Sequence, residues 1–202
     1  MAASPTQRKR IPAAERRKVI GRAAGPLFAR DGYAGTRLDD IAAAAEVTKP
    51  IVYRHFESKK ALYLALLAKH EDDLPTFFER VSDLPADLPP DALVRVILEH
   101  WLDYVRENSH SWVMLFRDSS GDGEIQAMRR EVSVRARQVL AQFIAARAGE
   151  SIPAEEIEPT AELLTSGLAG LVLWWIDNPK VSKRVVLEVA VRMSAPALAD
   201  QG

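Results

Sequence analysis

Apolar positions recur at intervals of three and four residues along most of the chain, and runs of alternating β-branched residues are absent. Between positions 12 and 31 the apolar residues Val19, Ile20, Ala23, Ala24, Leu27 and Phe28 share one helical face. Pro12 suits a first turn. Gly25-Pro26 lies inside the pattern and predicts a bend or a break there, and "DGYAGT" ends the segment. Thr36, followed three residues later by Asp39, has capping-box spacing and opens a short helix over 38–45. Thr48 is the next cap, with Lys49 and Pro50 in the first turn of a third helix that ends near position 55. Ser58 caps a fourth helix that continues to 82. Beyond the proline-rich "SDLPADLPP" at 82–90, the spacing predicts helices over 91–108, 110–119, 124–148, 160–177 and 182–199. "SSGDG", "GESIPAEEIEP" and "NPK" separate the later ones. The class is therefore all-α, with about nine helices.

Two short helices joined by a turn at Glu46, Val47 and Thr48 make a helix-turn-helix pattern. The second helix of such a pair enters the major groove of duplex DNA, where its N-terminal residues meet base edges. Two turns suffice for that task, which accounts for the brevity of "TKPIVYRHF". Pro50 offers an apolar edge to a thymine methyl, and Lys49 can reach a guanine edge or a phosphate. Tyr53 and His55 can donate to phosphate oxygens. Ser58-Lys59 opens the fourth helix, so free N–H groups, the helix dipole and the ammonium all favour a phosphate there.

Charge sharpens this division. Residues 1–60 carry 13 Lys/Arg against 6 Asp/Glu, whereas 61–202 carry 14 against 22. A basic first third on an acidic remainder fits a polyanion-binding head on a body that binds something else. Apolar content of 48 % and charged content of 27 % describe a globular chain. With no cysteine there are no disulfides and no thiolate metal sites. The basic N-terminus lacks the apolar core of a secretory signal, and the longest apolar run, 168–176, is too short to span a bilayer. A cytoplasmic protein without a membrane role is expected.

The residues Phe28, Gly32-Tyr33, Thr36, Ile41-Ala42, Ala45, Val47-Thr48, Tyr53, His55-Phe56, Ser58-Lys59 and Leu62 carry a resemblance to the tetracycline-repressor (TetR) family of bacterial regulators. It covers about 13–67. The resemblance implies a homodimer of all-helical subunits that binds double-stranded DNA. It implies a disordered basic arm over 1–11, a helix-turn-helix domain over 12–57, and a ligand-binding and dimerisation domain over 58–202. Helix 58–82 links the two domains, and the last two helices pair across the dimer. By position, Lys49, Pro50, Ile51 and Tyr53 would face bases. Thr36, Tyr53, His55 and Lys59 would hold phosphates, with Thr48 at the helix start beside them. Leu38, Ile41, Ala42, Val47, Val52 and Phe56 would pack the head. Three features depart from the family pattern. Glu46 stands at a turn position usually held by glycine, so a left-handed backbone there would be strained. Gly25-Pro26 interrupts a usually continuous helix. Asp39 occupies a position that can hold a base-reading arginine, which leaves Arg37 as the nearer candidate.

The body carries His100, Trp101, Tyr104, Trp112, Phe116, Met128, Phe143 and Trp174. Ordinary core packing accounts for such residues in most helical proteins. Trp101 and Tyr104 share one helix face, Trp112 and Phe116 another. If those faces meet, they line an apolar cavity for a small, partly hydrophobic effector, with His100 or Tyr104 as polar handles. Glu99 and Asp103 share a face near His100, but no further histidine is placed to complete a metal site. Neither a metal nor a cofactor is expected. Leu164, Leu168, Leu171, Val172 and Trp175 form one amphipathic face, and Val185, Val186, Val189, Ala190 and Met193 another. Gly167 and Gly170 would permit close helix approach. The expected function is a transcriptional regulator, a repressor released from a palindromic operator by its effector. An all-helical enzyme has no acid/base pair or nucleophile constellation to support it. A dimerisation protein without an operator role is the other alternative.

Overall fold

A computed structural model of the chain describes residues 12–82, 88–118, 120–148 and 152–195. The expected basic arm over 1–11 lies outside these residues. Within them the chain forms nine α-helices and no strand. They are α1 (Ala13–Gly35), α2 (Leu38–Ala44), α3 (Lys49–His55), α4 (Lys59–Ser82), α5 (Pro90–Glu107), α6 (Ser109–Phe116), α7 (Gly123–Ala148), α8 (Ala154–Asp177) and α9 (Lys183–Ser194).

The caps explain several boundaries. Ser58 Oγ accepts the Ala61 N–H at 3.0 Å and starts α4. Asp122 Oδ1 accepts the N–H groups of Glu124 and Ile125 at 3.1 and 3.3 Å and starts α7. The capping box expected at Thr36 does not form. Arg37 is the N-cap of α2, and no side-chain cap bond is present. Thr36 is instead buried, with its hydroxyl donating to Gly32 O at 2.8 Å and Leu27 O at 3.2 Å. Thr48 does occupy the N-cap of α3, but without a side-chain cap bond.

The break expected at Gly25-Pro26 is also absent: α1 runs through Pro26. Gly25 has no Cβ for the proline ring to strike, which removes part of the usual clash. Pro26 and Arg22 both face solvent, where water can take the carbonyl that proline leaves unbonded. The irregularity falls at Gly32, with φ 70° and ψ 173°. A side chain would be strained in that conformation. Glu46, in the turn between α2 and α3, has φ 52°, the left-handed backbone its position foretold. In the body, α8 begins at Ala154, earlier than expected, and contains Pro159. Glu155 and Glu156 in its first turn complement the dipole.

The largest core joins α1, α2, α3, α4, α6 and α7 around Ile20, Phe28, Ile41, Val52, Phe56, Tyr63, Met114 and Ile125. All six residues expected to pack the head, Leu38, Ile41, Ala42, Val47, Val52 and Phe56, belong to it. Tyr63 meets Phe28 and Tyr33 edge-on, at centroid distances of 4.9 and 5.3 Å. Each such buried ring stabilises the fold by about 1.5–3 kcal/mol, so α4 is an integral wall of the head. A second core gathers α5, α8 and α9 around Leu98, Leu102, Val172, Val186 and Ala190. A third, smaller one joins α7 to α8 around Ile144 and Ala161.

Candidate nucleic-acid interface and effector cavity

The α2–α3 pair presents α3 outward. Val52 is buried against the head core, and Phe56 follows it at the C-cap, also buried. The opposite face carries Thr48, Pro50, Tyr53 and Arg54, all exposed, with Tyr53 at 49 %. Ile51 and His55 lie half-buried at its edges, and Arg37 is exposed at the start of α2. Lys49 Nζ sits 3.0 Å from Asp39 Oδ2, an exposed pair that ties α3 to α2. Such a pair contributes about 0–1 kcal/mol, so the ammonium is easily released to an incoming phosphate or base.

Arg17, on α1, donates to the backbone carbonyl of His55 and lies over the Phe56 ring at 4.0 Å. It supplies a cation where the α3 dipole is negative. Partial burial, then the charges of Arg54, Arg16 and Arg17, push the His55 pKa down. A phosphate beside these cations would offset them and favour the protonated ring. Arg54 was not among the expected contacts, although its place next to Tyr53 in the exposed helix was the available signal. Arg17, in the first turns of α1, was likewise not among the expected contacts.

Two residues expected at phosphates, Thr36 and Lys59, direct their side chains to carbonyls of the chain itself. Thr36 is 2 % exposed. Lys59 Nζ donates to the carbonyls of Tyr33 (2.7 Å), Thr36 (2.9 Å) and Ala34 (3.4 Å), and lies 4.5 Å from the Tyr33 ring centroid. The ammonium thus closes the C-terminus of α1 onto the start of α4, where orphan carbonyls need a donor.

Behind the head, one carboxylate joins three segments. Asp118, after α6, accepts the Tyr33 N–H at 2.8 Å and the Tyr63 hydroxyl at 2.7 Å. Its other oxygen accepts the Ser120 N–H at 3.0 Å. Arg129 of α7 donates to the carbonyls of Leu115 and Asp118. Lys60 bridges to Glu124 at 2.8 Å and Asp122 at 3.4 Å. Burial first, and the Asp118 contact second, push the Tyr63 pKa strongly up.

In the body, helices α4 to α9 line a partly open cavity of about 280 Å³. Trp101, Tyr104, Trp112, Phe116 and Phe143 all line it, so five of the eight expected residues come together. Trp112 stacks on Phe116 (5.4 Å, 16°) and meets Trp101 edge-on (5.6 Å, 89°). The other three lie elsewhere. His100 is exposed, its Nδ1 2.8 Å from Val96 O. Met128 packs on the head core. Trp174 is 48 % exposed on α8. The sequence had not marked the polar wall, formed by Ser133 and Arg137 of α7 with Glu162, Thr165 and Ser166 of α8. Arg137 pairs with Glu162 there. Helical spacing alone did not say which face of α7 turns inward. Glu99 and Asp103 take the Lys183 ammonium, at 3.6 and 2.7 Å. Among the described residues no cluster of three or more His, Cys, Asp or Glu is placed to hold a metal. Likewise none of the described helices is long and apolar enough to cross a membrane.

Comparison with known proteins agrees with this geometry. The profile for "Bacterial regulatory proteins, tetR family" matches residues 20–66, which run from α1 through α2 and α3 into α4. The HTH-type transcriptional activator FasR of Mycolicibacterium smegmatis is 33 % identical over 109 residues, covering 54 % of this chain and 49 % of FasR. IcaR of Staphylococcus aureus strain Newman, a negative regulator of the biofilm operon icaADBC, is 29 % identical over 118 residues, 53 % of this chain and 60 % of IcaR. The chain thus spans only about half to three-fifths of these curated relatives. The crystal structure of AibR in complex with isovaleryl coenzyme A and operator DNA superposes with a TM-score of 0.68 at 22 % identity. That superposition covers 90 % of this chain and 98 % of AibR. Residues 20–66 thus match the helix-turn-helix profile of the tetR family, and the fold is shared with a TetR-like transcriptional regulator from Rhodococcus sp. RHA1, at a TM-score of 0.73 and 23 % identity over 94 % of this chain and 98 % of that one.

Proposed function

We propose that this chain is a transcriptional repressor that binds a palindromic operator in double-stranded DNA as a homodimer. A small, partly hydrophobic effector in the α4–α9 cavity releases it. The observation that carries the reading is α3. Its buried face anchors it through Val52, and its outer face offers Pro50, Tyr53 and Arg54 beside a basic cluster. Residues 12–57 act as the head and 58–202 as the body, with α4 between them. Lys49, Pro50, Ile51 and Tyr53 read bases. Arg37 stands beside them as a further base reader, while Thr48, Tyr53 and His55 hold phosphates, joined by Arg54 and Arg17. Thr36 and Lys59 keep α1 and α4 at the angle that presents α3. The protein works in the cytoplasm, where the operator is.

An exposed stripe on α8 supports the homodimer. Leu163 (74 % exposed), Gly167, Gly170 and Trp174 follow one another at steps of four, three and four, which places them on one helix face. A Cβ at either glycine would meet nothing within 4 Å. On α9, Val185 and Met193 are exposed as well. A second copy packed on α8 and α9 covers this surface and sets two α3 helices about 34–36 Å apart, one turn of B-DNA. An effector acts by preferring another spacing. IcaR, a negative regulator by name, supports repression, and AibR, crystallised with both a coenzyme A thioester and operator DNA, supports a ligand-controlled head.

Selection from a random duplex library followed by anisotropy titration tests the reading. An inverted repeat should be enriched and bound at least ~10³-fold more tightly than scrambled duplex. Affinity should fall by about 10³ or more between 50 and 200 mM salt. Absence of any enriched sequence would refute it.

A further inference from the structure

The cavity has a neighbour of opposite character. An open trough of about 480 Å³ lies between the end of α6 and the outer face of α7. It shares four wall residues with the apolar cavity: Leu115, Phe116, Ser133 and Arg137. Its described lining holds three guanidiniums, Arg129, Arg130 and Arg137, and no carboxylate. The rim residues Gln126, Arg130 and Val134 are exposed, so the trough opens to solvent. The cavity behind the shared wall is built mainly from Leu, Val, Trp and Phe side chains. At about 280 Å³ it falls just below the usual span of ligand sites, about 300 to 1,000 Å³.

From this juxtaposition we infer that the effector is an amphipathic anion. An apolar chain of short to medium length fills the cavity, and an anionic head group lies in the arginine trough. The inference rests on the regulator reading and names the ligand class of the same site. Three arginines offer planar forks suited to phosphate or carboxylate oxygens. Arg129 is held in place by the carbonyls of Leu115 and Asp118. Arg137 stands at the junction of the two spaces, paired with Glu162. An anion arriving there competes with Glu162, the carboxylate in the cavity wall. The contact also has a route to the head, because the segment that fixes Arg129 includes Asp118, which holds the Tyr33 N–H and the Tyr63 hydroxyl.

Tryptophan fluorescence of the full chain, read through Trp101 and Trp112, reports the test. Four probes are titrated: decanoyl-CoA, sodium decanoate, decanol and coenzyme A alone. Decanoyl-CoA should bind at least ~30-fold more tightly than decanol, a gap of ~2 kcal/mol. Arg130→Gln should shrink that ratio by about tenfold. The ratio is internal to each variant, so general damage to the protein does not mimic the effect. If the variant does not fold, the salt dependence of wild-type binding serves instead, steep for decanoyl-CoA and flat for decanol. Decanoate binding as tightly as the thioester supports the class and identifies a free carboxylate as its head. Equal affinity for decanol and decanoyl-CoA overturns the inference but leaves the apolar effector cavity standing. Coenzyme A binding as well as its thioester overturns the role of the chain. If no probe binds while a selected operator still does, the ligand class is wrong and the regulator reading survives.

Discussion

Glu46 shows how much one position can say. Its left-handed backbone costs a residue with a Cβ about 1–2 kcal/mol. The side chain is exposed, and the turn is held by backbone bonds from Glu46 N to Ala43 O (3.1 Å) and Val47 N to Ala42 O (2.9 Å). Glu46→Gly relieves the strain and returns part of the gain through the greater freedom of unfolded glycine, about 0.5–1 kcal/mol. A net stabilisation of about 0.5–1 kcal/mol follows, or a few degrees in Tm. Urea denaturation of both proteins measures it, and a loss of stability would mean that the carboxylate has a compensating role. This strain was legible in the sequence because turn chemistry is local. The turn of Thr36 and Lys59 toward carbonyls of the chain itself was not. A threonine before a helix and a lysine at a helix start have the same signature whether they meet phosphate or a neighbouring carbonyl. The path of α1, with its irregular Gly32, decides between the two.

Among elements, α1, α4 and the α6–α7 junction behave as one joint. Helix limits in the head were readable from Thr48, Pro50 and Ser58 because each acts within a turn of its own position. Proline misled twice, at Pro26 and at Pro159, since helix tolerance depends on whether the freed carbonyl meets water and how near the helix start lies. The Asp118 clasp was invisible, because it joins positions 33, 63 and 118 through tertiary packing. Tyr63→Phe removes the hydroxyl that Asp118 accepts and should cost about 1–3 kcal/mol. The pH dependence carries a sign. Burial and Asp118 raise the folded pKa of Tyr63 above its ordinary value, so the phenol loses its proton more readily unfolded. Its contribution is complete below about pH 10, the unfolded value, and is lost as pH rises from there toward the folded pKa. Thermal melts from pH 8 to 11.5 should show a drop that Tyr63→Phe reduces. An identical alkaline drop in the variant would assign it to other groups.

At the scale of the whole molecule, the exposed stripe on α8 decides whether one chain can act alone. Sequence periodicity marked Leu164, Leu168 and Val172 as one face of α8, and these do pack inward or sit half-buried. The face beside them was harder to read. Leu163 and Trp174 look like core or cavity residues until the neighbouring helices are in place and leave them uncovered. Leu163→Asp puts a charge at the N-terminal end of the exposed α8 stripe, within the proposed seam, without touching the interior of the single chain. Burying an unpaired carboxylate against a second copy should cost about 3 kcal/mol or more, raising the dimer Kd at least about a hundredfold. Sedimentation should then show a monomer with unchanged helical content. A monomer engages one half-site and loses the second set of phosphate contacts, so the salt slope of operator binding should fall toward half. If Leu163→Asp sediments as a dimer, the two heads are held by some other surface, and the spacing argument for a palindromic operator fails with the seam.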